Sequence, residues 1–294
     1  MKRAIFLGMM LFLMLACFAQ EEEVTIKSTN VRNNVYMLEG QGGNMGLIIG
    51  EDGAILIDDQ FARLSDKIKA AISEITDEPV RFVINTHWHG DHMGGNENFA
   101  KSGSTIVAHE NVRMRVSTEQ FNRFRDTTTP ASPEAAWPVI TFAESMNLHF
   151  NDEDIHIVHT QKAHTDGDAL IHFTKANVIH AGDAFVTYGF PYIDVAAGGT
   201  FQGLIDLAGE LADRCDENTI IIPGHGPLSK KQDVLWFRDR LQSIKDILVS
   251  GISSGKSADD MVNEEVLKDF ADWDGGFIKS KDFITIVYEE LAAK

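Results

Sequence analysis

NTHWHGDHMGGN, residues 85–96, packs three histidines and an aspartate into the six positions from His87 to His92. The chain has 11 histidines in 294 residues, so this crowding calls for a chemical reason. The run that feeds it, VRFVIN (80–85), is β-branched and apolar and reads as a buried strand. With His87 and His89 two apart at the end of that strand, both imidazoles are expected on the same side. Gly90 lets the chain turn, and Asp91 and His92 then emerge from the loop ahead of a helix. Four ligands in short reach, divided into two aims, suit two adjacent metal ions. Neutral imidazole with carboxylate is the donor set that zinc takes in hydrolytic sites.

Upstream, GQGGNMG (40–46) and GEDG (50–53) are tight glycine connections between short strands over residues 24–58. AILID (54–58) is a buried strand that ends on a carboxylate, Asp58. FARLSDKIKAAISEI (61–75) places Leu64, Ile68, Ala71, Ile72 and Ile75 at helical spacing, and Pro79 breaks the pattern. Strand, helix, strand in that order predict α/β layering. Downstream, the pattern predicts a helix after Gly95, a strand over STIVAH (104–109) and a helix through residues 110–125. The Pro/Thr-rich DTTTPASPEAAWP (126–138) reads as a surface excursion, followed by successive strands from 139 to 179. A second α/β passage has a helix over 199–216 and the strand TIIIP (219–223). A long amphipathic helix carries Val234, Leu235, Leu241, Ile244 and Leu248, and the C-terminus reads as helical and charged.

One cluster does not complete two metal shells, so further ligands are expected from other strand ends. His164 in AHTDGD, Asp183 in VIHAGD and His225 in PGHGP each follow a buried β run and adjoin glycines or a tight turn. That is the C-terminal strand edge where α/β folds build sites.

Taken together, Asp58, HWHGDH, His164 in HTDGD, Asp183 in AGDA and His225 in GHG resemble the five motifs of the metallo-β-lactamase superfamily. The match runs from about Val31 past His225. The resemblance implies an α/β fold of the αββα four-layer sandwich type, formed by residues 24–294 as a single hydrolase domain, with metals at one rim between two sheets. It implies two zinc ions, one on His87, His89 and His164, the other on Asp91, His92 and His225, with Asp183 between them. Asp58 is expected to buttress the histidine loop from behind, and Asp168 to brace its own turn. A hydroxide bridging the metals, oriented by Asp91 as catalytic residue, would attack the carbonyl of a small-molecule substrate.

For the substrate, a cyclic amide of the β-lactam type comes first, with lactone, thioester or phosphodiester as alternatives. A zinc-binding protein without turnover is the reading from a different class. Asp183 stands where the largest antibiotic-degrading subclass has cysteine, and Val186 where it has lysine. His109, His149, His156, His159, His172 and His180 belong to no motif and are given no ligand role.

A net charge of −18 with no basic run speaks against nucleic acid as a partner. Residues 1–19, MKRAIFLGMMLFLMLACFA, have a basic start at Lys2 and Arg3, an apolar stretch from Ile5 to Leu15 and small residues after it. This is the layout of a secretory signal peptide, and the stretch is short for a membrane span. A periplasmic or secreted protein without a transmembrane helix in its mature chain is expected. Cleavage after Ala19 and lipid attachment at Cys17, within LMLAC, are both open. The second cysteine, Cys215, lies in a helical pattern and reads as a buried structural thiol.

Overall fold

The computed structural model describes residues 24–160 and 162–293; the expected leader, residues 1–19 with Cys17, lies outside the described residues. Along the chain the first strands are β1 (Lys27–Arg32), β2 (Val35–Glu39), β3 (Met45–Gly50), β4 (Gly53–Ile57), β5 (Val80–Ile84) and β6 (Thr105–His109). A hairpin of β7 (Gln120–Asn122) and β8 (Thr127–Thr129) precedes β9 (Ile140–Phe142). Then come β10 (Ser145–Phe150), β11 (Glu153–His159), β12 (Ala169–Phe173), β13 (Val178–His180) and β14 (Ile220–Ile222). The helices are α1 (Ser65–Ser73), α2 (Gly90–Met93), α3 (Asn96–Lys101), α4 (Glu110–Val116), α5 (Phe201–Arg214), α6 (Lys231–Ser253), α7 (Ala258–Asn263) and α8 (Ser280–Ala292).

Two sheets result, ordered β1-β2-β3-β4-β5-β6-β9 and β10-β11-β12-β13-β14. Short turns give antiparallel pairs from β1 to β4 and from β10 to β13. Where a helix returns the chain, the next strand pairs parallel: β5 on β4 after α1, and β14 on β13 after α5.

The period-two alternation of apolar residues explains the layers. Ile48, Ile55, Ile57, Ile84 and Val107 of the first sheet share one core with Ile155, Ile157, Ile171, Val178 and Ile222 of the second. Their neighbours Leu47, Leu56, Val83 and Ile106 point the other way and pack on Ile68 and Ile72 of α1 and Phe99 of α3. On the far side, Leu170, Ile179 and Ile221 pack on Leu204 and Leu211 of α5, Leu241 of α6 and Val287 of α8. Helices therefore cover the outer faces of both sheets over their central strands, the edge strands β1 and β10 keep exposed residues, and the order is helix, sheet, sheet, helix. The αββα sandwich expected from the sequence is the fold.

Two local expectations fail. The helix expected through residues 110–125 stops at Val116, because Ser117 and Thr118 turn their hydroxyls back onto the Met114 carbonyl. The chain then reverses into the β7–β8 hairpin, so Thr127–Thr129 is strand rather than part of a loop. The second failure concerns the strand before the histidines: β5 ends at Ile84, and residues 85–89 are loop. The strand pleat therefore does not aim His87 and His89; hydrogen bonds of their side chains do, between His87 and Thr86 and between His89 and Asp194.

Candidate metal centre

Five loops that follow strand ends meet at one rim between the sheets. They follow β4, β5, β11, β13 and β14, and they carry Asp58, the 85–92 segment, His164, Asp183 and His225 respectively. The sequence-predicted residues are brought together. Ligand atoms of His87, His89 and His164 lie within 4.8 Å of one another, as do those of Asp91, His92 and His225, and those of His87, His92 and Asp183.

Asp58 organises the loop from behind. It is fully buried and holds φ of 60°, a left-handed conformation that costs a non-glycine residue and turns its carboxylate across the rim. Oδ1 accepts the Thr86 amide at 2.7 Å, and Oδ2 accepts the Thr86 hydroxyl at 2.7 Å and His92 Nδ1 at 2.7 Å. The Thr86 oxygen in turn takes His87 Nδ1 at 3.0 Å. One carboxylate thus fixes the tautomer of two imidazoles, leaving Nε2 of each as the free lone pair. No atom of Asp58 belongs to the three ligand clusters, as its position in the motif implied.

The remaining imidazoles are held by comparable means. His164 gives Nδ1 to the Tyr192 carbonyl at 2.7 Å, and its Nε2 lies 2.9 Å from His89 Nδ1. His89 gives Nε2 to Asp194 at 2.9 Å, so it offers the opposite nitrogen from the others. Asp168 braces the His164 turn: its carboxylate accepts the amides of His164 and Thr165 at 2.7 and 2.9 Å. Burial pushes that carboxyl up to about 7. The glycine-rich loop lies over His92 so closely that a Cβ on Gly43 would fall 2.1 Å from its ring. Gln60, itself at φ 55°, clamps that loop by accepting from the Gly42 amide and donating to the Gly43 carbonyl.

Thr86, Asp194 and Gln60 escaped the sequence reading. None repeats a motif, and only the sharp turns beside them, unreadable from composition, bring them to the site.

The charge balance of the cluster points to a cation. Burial opposes ionisation of Asp183, yet His225 and His92 hold it well below the usual carboxylate range. Burial likewise opposes a charge on His92, but Asp183, Asp91 and Asp58 outweigh it and drive this imidazole up. His87 has burial and three neighbouring imidazoles against its charge, and falls well below the ordinary histidine range. His87 Nε2 is buried without a hydrogen-bond partner among the described residues, and the buried Asp183 Oδ1 has only ion-pair contacts, to His92 and His225 at 3.2 and 3.5 Å. Such orphaned atoms are costly unless something else satisfies them. A lone pair and a carboxylate oxygen both facing inward fit a metal ion. The donor set, five imidazoles and two carboxylates, is one that zinc accepts.

The cluster opens into a cavity of about 750 Å³. Asp91 stands at its mouth with a side chain 30% exposed, whereas Asp183 is 9% exposed. Trp88, Tyr188 and Tyr192 line the wall nearest the histidines.

Residues 38–225 match the model of the metallo-beta-lactamase superfamily. The chain belongs to that superfamily, whose members are mostly hydrolytic metalloenzymes, and its His and Asp residues form groups able to bind a metal. Among solved structures, it is similar to a metallo-beta-lactamase from Pontibacter korlensis, with 16% identity and a TM-score of 0.63, covering 74% of this chain and 99% of that one. It is also similar to a sec-alkyl sulfatase double mutant, with 15% identity and a TM-score of 0.66, covering 90% of this chain and 50% of that one. A curated relative is the 2,4-dinitroanisole O-demethylase subunit alpha of Nocardioides sp., 23% identical over 169 residues. That alignment takes in 57% of this chain and about half, 48%, of the relative.

Proposed function

We propose that the chain is a hydrolase that holds two zinc ions and cleaves a cyclic amide of the β-lactam type, acting outside the cytoplasm behind the leader read at residues 1–19. The observation that carries the two-metal reading is the placement of Asp183. Its Oδ1 lies 3.2 Å from His92 Nε2 and 3.5 Å from His225 Nε2, while its Oδ2 lies 3.7 Å from His164 Nε2. One carboxylate oxygen is thereby turned to each trio. His87, His89 and His164 would hold the first ion, Asp91, His92 and His225 the second, and Asp183 both.

Zinc bound there supplies Lewis acidity, which polarises a carbonyl and makes water a usable nucleophile near neutral pH. The protein's own part is positioning and proton traffic. Asp58, Thr86, Asp194 and the Tyr192 carbonyl lock four imidazoles before substrate arrives, so little reorganisation is left to the reaction. Asp91 Oδ2 sits 3.4 Å from His225 Nε2 and faces the cavity, where it can orient water and accept its proton.

A second reading rests on Val186. It is 2% exposed and its backbone bridges that of His225, so this position offers no cation to hold a carboxylate next to the scissile bond. That favours a lactone or thioester over a carboxylated lactam, with phosphodiesters next. The test is a panel of chromogenic lactam, lactone, thioester and phosphodiester substrates given to the zinc-loaded protein. Lactam turnover abolished by chelation and restored by zinc is the expected result. Lactone or thioester turnover without lactam turnover would select the second reading, and inertness toward all four would refute both.

A further inference from the structure

The cavity beside the metal centre has a far end that the reaction does not use. The β7–β8 hairpin overhangs it and carries Phe124 and Arg125 at its turn. An aromatic wall leads there from the ligands: the His89 ring is 5.7 Å from Tyr192, Tyr192 is 5.8 Å from Phe124, and Phe124 is 6.1 Å from Phe277. Arg125 closes this wall, its guanidinium 5.3 Å from the centre of the Phe277 ring.

Two arginines line the cavity, and they differ in one respect. Arg115 is neutralised by Asp166, with its Nε and Nη2 donating to the two carboxylate oxygens at 2.7 and 2.5 Å. Arg125 has no carboxylate partner among the described residues; its guanidinium carbon lies over the ring of Phe277. A cation held against an aromatic ring keeps its N–H donors available to an acceptor. In a chain of net charge −18, a guanidinium without a carboxylate beside an aromatic cavity is a group that can bind an anion. Phe124 and Phe277 are 37% and 55% exposed, large apolar surface that a ligand would cover. The hairpin is also tied down. Arg123 donates through both Nη atoms to Glu289 at 2.8 Å, and the Asn122 amide reaches the Tyr192 hydroxyl at 3.4 Å.

We propose that Arg125 and the Tyr192–Phe124–Phe277 wall form a distal specificity subsite. It takes substrates whose scissile group lies at the metal centre and whose flat apolar body ends in an oxyanion held by Arg125. This rests on the metal-hydrolase reading of the site, and it differs from lactam recognition in placing the anion away from the bond that breaks. Arg125 binds and selects; it takes no part in bond breaking.

Binding separates this idea from turnover. The probes are terephthalate and biphenyl-4,4′-dicarboxylate, each paired with the matching monocarboxylate, benzoate or biphenyl-4-carboxylate. One carboxylate of every probe can go to the metals, and only the dianions have a second for Arg125. Calorimetry on the zinc-loaded full chain is expected to show one dianion bound at least ~10-fold more tightly than its monoanion, as a charge-assisted hydrogen-bonded pair provides. Arg125→Gln should erase that preference while leaving monoanion affinity within about twofold, and Arg125→Lys, which keeps the charge but not the fork, should retain part of it. Arg125 is exposed, so unchanged zinc content and circular dichroism would show that the variants fold. Equal affinity for dianion and monoanion at both lengths, or a preference that survives Arg125→Gln, would overturn the subsite. A preference that depends on Arg125 in a protein inert to every chromogenic substrate would instead sink the hydrolase reading and leave the subsite standing.

Discussion

Asp58→Asn is the sharpest probe of the site, because it preserves shape and removes only acceptor capacity. The carboxylate is fully buried and accepts three hydrogen bonds, each 2.7 Å long. An amide must put its NH₂ group where one oxygen was. If Nδ2 takes the Oδ2 position, it faces the Thr86 hydroxyl and His92 Nδ1. The imidazole then has to accept there and carry its proton on Nε2, the atom aimed at Asp183 from 3.2 Å. The lone pair for the metal is lost. If Nδ2 takes the Oδ1 position instead, it meets the Thr86 amide donor head on, and a buried unsatisfied pair costs about 1–3 kcal/mol.

Either outcome is measurable. A wrong tautomer at His92 should weaken metal binding by roughly 10- to 100-fold, the usual cost of a lost partner behind a ligand, or about 1.4–2.7 kcal/mol. Competition against a chromophoric chelator reads that number directly. The donor clash should lower Tm of the metal-free protein by roughly 2–4 °C per kcal/mol for a chain of this size class. If Asp58→Asn binds both metals within twofold of the parent and melts at the same temperature without them, the brace assigned to Asp58 is wrong.

Asp91→Asn keeps the outline of the loop and loses the proton acceptor, so turnover of the best substrate should fall by roughly 10²-fold or more. His149→Ala, at an exposed strand position paired only with Asp154, should leave steady-state turnover nearly intact and serves as the control. Gly43→Ala places a methyl 2.1 Å from the His92 ring; quantitative metal analysis should find the second ion weakened or absent, and two full equivalents would count against the close packing described. Asp194→Ala frees the ring of His89 and should cost about tenfold in metal affinity, most clearly for the first ion, in the same chelator competition. Chelation should lower Tm reversibly, because an ion at 100 times its Kd contributes about 2.7 kcal/mol; a Tm unmoved by chelator and by added zinc would show that the cluster holds no ion.

The layering was legible because each buried strand carries two messages at once. Leu47–Ile48 and Leu56–Ile57 have apolar residues on both faces, the signature of a sheet covered on both sides, while α1 and α6 have helical spacing that needs one face covered. What failed was local. ENVRMRVSTEQFNRFR reads as a helix if only apolar spacing is counted, yet the Ser117 and Thr118 hydroxyls both donate to the Met114 carbonyl and compete for it with the backbone. Once the helix ends, the Phe121-to-Thr128 pairing holds the rest as a hairpin. The cavity's distal wall was invisible in the sequence for that reason: a helix through Arg125 would have pointed Phe124 and Arg125 in different directions.

The candidate metal centre was legible only in part. Its candidate ligands are histidines and aspartates in glycine-rich turns after strands, and residue type with spacing is enough to collect them. Their orientation depends on partners chosen by geometry alone. Thr86 qualifies because its amide, hydroxyl and position beside His87 let it relay one carboxylate to two imidazoles. Asp194 qualifies because a left-handed turn at Gly198 and the cap on Ala197 fix it across from His89, 105 residues away in sequence. Nothing about a threonine between an asparagine and a histidine, or an aspartate in PYIDVAAGG, announces these roles. The one local sign is conformational: Asp58 and Gln60 both sit at positive φ, strain that an unconstrained loop would relax. That strain is sustained by the hydrogen bonds on Asp58 and Gln60, and it is what turns a strand end into a rigid holder for His87 and His92. Removing those bonds should therefore loosen the ligands before it unfolds the sheets, which are held together by a separate apolar core.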